Sequence, residues 1–179
     1  MDSFSPRIKK IVLLLLLLLL PGCGAGEVPA GTLVIEGEAV EERVLLTLTD
    51  LKAMEEGLVE AQYFAINTYG TREHFHFKGV WVWHLIEEKV KLKDTASRVT
   101  ITGEDGYTVQ YSLADVRKED YIDEDNPGVK LKMILAWEGD GEEFSPDQGN
   151  PFQLVVGQRE PGDVNKPYWV RNVRTIRID

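Results

Sequence analysis

Apolar residues along the chain fall into three patterns. Ile11–Leu20 is an unbroken run of ten apolar positions, eight of them leucine, after a start that carries Arg7, Lys9 and Lys10. Ten residues rise only about 15 Å as a helix, roughly half of a hydrocarbon core, so the run reads as an export leader and not as a spanning segment. After Thr32 short runs rich in Val, Ile, Leu and aromatics alternate with turn residues, the pattern of strands. Thr32–Gly37 and Arg43–Thr47 form the first predicted pair, and Val59–Asn67 with Glu73–Lys78 the second, around the break Thr68-Tyr69-Gly70-Thr71. Arg98–Thr102 and Tyr107–Ser112 flank Gly103-Glu104-Asp105-Gly106, where Asp-Gly tolerates positive φ and predicts a hairpin. Leu131–Trp137 and Phe152–Val156 bracket a polar insertion, Glu138–Pro151, and Trp169–Ile178 is the last predicted strand.

Only two stretches call for helices. Thr49 and Asp50 offer cap oxygens for a short helix over Leu51–Glu56, with Gly57 as its left-handed stop. Val82, Leu85, Ile86 and Val90 recur at helical spacing. The sum is a strand-rich α+β domain over residues 32–179, with mixed sheets and two or three short helices, preceded by a leader (1–22) and a tether (23–31). About 148 residues can bury a core without a metal or disulfide staple.

Composition narrows the chemistry. Removing residues 1–22 leaves 17 cationic and 29 acidic side chains, net −12, which repels phosphate backbones and excludes nucleic acid as a partner. The single cysteine, Cys23, rules out an intramolecular disulfide or a multi-thiolate zinc site. Its setting, Leu20-Pro21-Gly22-Cys23-Gly24, resembles the lipobox of bacterial lipoproteins, in which the cysteine is acylated and becomes the first mature residue. That resemblance implies a lipid-anchored protein on the extracytoplasmic side of a cell membrane, with the membrane surface as its first partner.

His74 and His76 lie two apart on a predicted strand, on one face, with Phe75 and Phe77 on the other. A polar sheet face is the simpler reading, since a zinc or copper site needs three or four convergent ligands. Glu119–Asn126 and Glu138–Glu143 are acidic stretches without EF-hand spacing and read as solvated loops. Hydrolase, Walker, dinucleotide and zinc-protease motifs are all missing from the sequence.

Five motifs in fixed order carry a resemblance: LTLTDLKAM, FKGVWVWHLIEE, VTITGEDGYTVQYSLADV, MILAWEGDGEEFSPDQGNPFQLVV and YWVRNVRTIRI. They resemble the oxidoreductase molybdopterin-binding domain of the sulfite oxidase family, across nearly the whole mature chain. The resemblance implies a β-rich α+β sulfite oxidase-like fold, and in active members a molybdenum pterin held by one cysteine thiolate after the strand matching Val59–Asn67. Here that stretch, Ile66–Gly70, reads Ile-Asn-Thr-Tyr-Gly. Neither Asn67 nor Thr68 offers a soft anionic donor to molybdenum. The expectation is therefore a binding or accessory module with no resident cofactor. Molybdopterin held through its own dithiolene, in an active oxidoreductase of atypical metal environment, is one alternative; a structural component of an envelope redox complex is another. By analogy with relatives, Arg159, Asn165 and Lys166 in GQREPGDVNKPYW are expected to contact an anion such as a pterin phosphate, joined by Arg72 and Tyr107. Arg171, Arg174 and Arg177 are expected to pair with acids on adjacent strands.

Overall fold

Two sheets close on one another in the computed structural model, which describes residues 28–179; the leader, Cys23 and most of the tether lie outside the described residues. The first sheet begins with the predicted hairpin of β1 (Leu33–Glu36) and β2 (Val44–Leu46), and ends with the hairpin of β5 (Arg98–Gly103) and β6 (Thr108–Ser112). Between them lies the last strand, β12 (Val173–Ile178), parallel to β1 and antiparallel to β5, giving the order β2-β1-β12-β5-β6. The second sheet is built on the long hairpin β3 (Leu58–Ile66) and β4 (Arg72–Trp81). β9 (Ile134–Gly139) adds to β4, and β10 (Glu142–Glu143) and β11 (Gln153–Val155) both add to β9. A small hairpin, β7 (Tyr121–Ile122) with β8 (Lys130–Leu131), stands apart.

Alternation decides what faces inward. Val99, Ile101, Ile176 and Ile178 from the first sheet join Tyr63, Phe77, Val80, Leu135 and Leu154 from the second in one buried cluster. Helix α2 (Val82–Lys89) closes this core with Val82, Leu85 and Ile86, the residues its spacing predicted. Trp137 is the largest of the fully buried side chains there.

Two helix starts share one device. α1 (Leu48–Lys52) and α3 (Leu113–Arg117) each begin with a reciprocal capping box, Thr47 with Asp50 and Ser112 with Asp115. The first helix therefore starts earlier than Thr49-Asp50 predicted, because Asp50 sits at the third helical position and returns its carboxylate to the Thr47 N–H at 2.7 Å. It also ends earlier: Ala53 caps it and a 3-10 turn covers Glu55–Gly57. Gly57 is needed for space and not for a left-handed stop, since a Cβ there would lie 2.2 Å from the His84 ring.

The acidic stretch around residue 124 is not merely solvated. Asp123 is buried and accepts the Asp125 N–H, and Glu124 accepts from the Gly162 N–H and the Gln158 amide while pairing with Arg72 at 2.8 Å. It ties the 159–163 loop to the start of β4.

Candidate functional site

Alternation along β4 places Glu73, Phe75 and Phe77 on one face and His74 and His76 on the other. The phenylalanine face forms a wall of a cleft of about 380 Å³. Phe75 and Phe77 stack with centroids 6.0 Å apart, and each meets the edge of Trp169, at 5.6 and 5.4 Å. The indole is fixed in turn by its N–H, which donates to the Val156 carbonyl at 2.8 Å. Phe144 and Gly139 complete the apolar part, where a Cβ on residue 139 would come within 3.2 Å of the Phe77 ring. A second, more polar hollow of about 550 Å³ shares Gly139, Phe144, Gln153 and Arg171 with the first. Asn150 borders it and accepts the Gly31 N–H at 2.9 Å, so the chain enters the domain beside this hollow.

The polar groups of the cleft differ in how far they are committed. Tyr107, at the β5–β6 turn, donates its hydroxyl to the Pro167 carbonyl at 2.6 Å. Asp105 accepts the Tyr107 N–H, and Asp140, in the left-handed Asp140-Gly141 turn after β9, accepts the His76 N–H. Both carboxylates are thus fixed by backbone donors. Lys166 places its ammonium 2.6 Å from Glu73 and 4.4 Å from the Phe75 ring centre. Arg171 is exposed and has no carboxylate within ion-pair distance among the described residues.

Of the five residues expected to contact an anion, the structure brings two into the cleft, Tyr107 and Lys166. Arg72 is held by Glu124, outside the lining. Arg159 lies 4.5 Å over the Tyr168 ring and 3.9 Å from Asp163; burial opposes its charge, but Asp163 and Tyr168 outweigh this and raise its pKa above the ordinary guanidinium value. Asn165 is fully buried and wholly engaged with backbone, its Oδ1 accepting from Ile66 and its Nδ2 donating to Phe64 and Val156. It offers nothing to a ligand. Sequence carries little sign of Phe75, Phe77, Trp169 and Arg171 as site residues beyond the alternation that sets Phe75 and Phe77 against the histidines. Among the described residues, Arg177 is the one of the three late arginines that makes an ion pair, with Asp179 at 2.9 Å. His74 faces Asp123 at 3.5 Å and His76 faces Glu60 at 3.7 Å, and no metal-holding cluster of three or more ligands occurs among the described residues.

A model of the oxidoreductase molybdopterin binding domain matches residues 26–177. The chain belongs to the oxidoreductase molybdopterin binding domain family. No curated protein matches it. Among solved structures it is similar to the sulfane dehydrogenase SoxCD from Paracoccus pantotrophus, at 20% identity and a TM-score of 0.61, over 87% of this chain. It spans 40% of that chain, so the likeness concerns the fold, which is sulfite oxidase-like. Membership of the molybdopterin binding domain family makes molybdopterin a plausible ligand, and the expectation of a domain without any cofactor finds no support.

Proposed function

We propose that this chain is a lipid-anchored extracytoplasmic module whose cleft binds a pterin-type ligand without a protein thiolate on a metal. Residues 1–22 would be removed on export, Cys23 acylated, and residues 23–31 would tether the domain to the membrane surface, near an envelope redox partner. The observation that carries the binding reading is the lining itself: two stacked phenylalanine rings set edge to face with Trp169, an unpaired arginine, and no sulfur. Phe75, Phe77 and Trp169 suit a flat heteroaromatic ring, and Arg171 suits a negative group on it. Asn67, in the stretch where relatives carry the thiolate, uses its side-chain oxygen to accept the Tyr69 and Thr71 N–H groups of the β3–β4 turn. The pterin ring and one charge therefore fit; a protein sulfur ligand for molybdenum has no candidate among the lining residues. A metal, were the pterin to carry one, would supply redox chemistry; the side chains here bind, orient and exclude water.

The family's description favours a second reading, an oxidoreductase with an atypical metal environment. Pterin and molybdenum analysis of protein expressed in a host that makes the cofactor separates the two. The module reading expects pterin with far less than one molybdenum per chain; one molybdenum per chain overturns it.

A further inference from the structure

We infer that the end of the domain holding both hollows is its membrane-proximal end, so that a ligand or partner reaches them along the lipid surface and not from the far side of the domain. The inference rests on the lipid anchor at Cys23, and goes beyond it in naming the end turned to the bilayer. Gly31 donates its N–H to Asn150 Oδ1 at 2.9 Å, and the buried Asn150 donates in turn to the Thr32 and Val173 carbonyls at 3.2 and 3.1 Å. Asn150 also lines the polar hollow, together with Arg171 and Asn172. The point where the chain enters the domain is therefore built into the wall of that hollow. β1 and β12 run away from this point side by side, and β12 leads to Asp179, whose carbonyl accepts the Ser97 N–H at 2.9 Å. The turn before Ser97 thus lies at the opposite end, separated by the extended chain from Val173 to Asp179, about 20 Å.

Length decides which end is down. Cys23 and Gly31 are eight residues apart, so even a fully extended chain holds Gly31 within about 28 Å of the acylated residue. A domain of residues 32–179 has a radius of gyration of about 15 Å and hence a diameter of about 38 Å. Turning it over would carry Gly31 about 38 Å from the lipid surface, beyond what the tether spans. Charge works the other way on anionic lipid: Asp105, Asp140, Glu142 and Glu143 line the two hollows against Lys166 and Arg171. That repulsion is screened over about 8 Å at physiological ionic strength, so it lifts this end off the surface without inverting the domain.

The test uses the acylated full-length chain reconstituted into vesicles of phosphatidylcholine, with and without phosphatidylglycerol, that carry an acceptor dye on their headgroups. Cys23 is the one cysteine and acylation blocks it, so a cysteine introduced elsewhere takes the donor dye alone. Q148C labels the end with the hollows and T95C the opposite end; both positions are exposed, as are those of a second pair, D147C and D94C, and circular dichroism verifies each fold. Energy transfer to a plane of acceptors falls with the fourth power of height, so the donor at 148 should transfer at a rate at least about fivefold above that at 95, in both lipid mixtures. Inserting about twenty Gly and Ser residues after Gly26 lengthens the reach to about 100 Å and should bring the two rates within about twofold. Equal rates at the two ends of the unaltered chain, a higher rate at 95, or a difference that survives the insertion overturns the inference while leaving the anchor standing. A chain that does not float with the vesicles removes the anchor, and the inference with it.

Discussion

Replacing Asn165 with alanine is the most direct test of how the site is held. β3 is the edge of its sheet, and Asn165 completes that edge as a strand would: its Oδ1 accepts the Ile66 N–H at 3.0 Å, and its Nδ2 donates to the Phe64 carbonyl at 2.9 Å. The same amide donates to Val156, whose carbonyl also receives the Trp169 indole. Alanine would leave the Ile66 N–H and the Phe64 carbonyl buried without partners, while Val156 keeps Trp169. Two unsatisfied buried groups at about 1–3 kcal/mol each put the loss at about 2–6 kcal/mol. For a domain of this size, at roughly 3 °C per kcal/mol, that lowers the melting temperature by roughly 6–18 °C. Thermal melts followed by circular dichroism, with urea titrations for the free energy, measure it. A loss below about 1 kcal/mol would refute the assignment of Asn165 as the clamp on this edge. Asn165→Asp offers an internal check. Its carboxylate would face two carbonyl oxygens, raising its folded-state pKa, so this variant should approach the wild type only as pH falls toward the ordinary aspartate range.

Two further perturbations probe the frame around the cleft. The Gly162 N–H, aided by Gln158 and Arg72, lowers the pKa of Glu124, so its contribution is present above the ordinary glutamate range and is lost as pH falls through the lowered value; E124Q should flatten the acid limb of stability against pH below about 4.3, and parallel limbs would argue against it. At Gly79, facing β9 across an irregular register, a Cβ would lie 2.3 Å from the Leu135 carbonyl oxygen, so G79A should lower the urea midpoint by an amount equal to about 3 kcal/mol, and an unchanged midpoint would show the sheet yields there.

What sequence could deliver followed the range of the interactions. The β5–β6 hairpin rests on Gly103-Glu104-Asp105-Gly106, four residues of local chemistry, and the structure reproduces it. The face split along β4 likewise follows from a period of two, as does the α2 stripe from helical spacing. The start of α1 is ambiguous in sequence because Thr47 and Thr49 both carry a capping oxygen, and only the reciprocal bond to Asp50 selects the first. The cleft was beyond local pattern. Its walls come from β4 and from the segment before β12, almost a hundred residues apart, and whether Arg171 or Arg159 stays unpaired depends on which acids the fold brings near each. Asn165 reads as a polar loop residue beside a lysine; its burial follows from partners in a strand 99 and 101 positions away.

The seat of β12 between β1 and β5 bears on how the chain is made. Val34 pairs with Thr175, so the amino-terminal hairpin has no neighbour until the final six-residue strand has been synthesised. Until then the domain cannot close its first sheet, and its folding must wait for β12. Loss of β12 would therefore remove the middle of a sheet instead of trimming its margin.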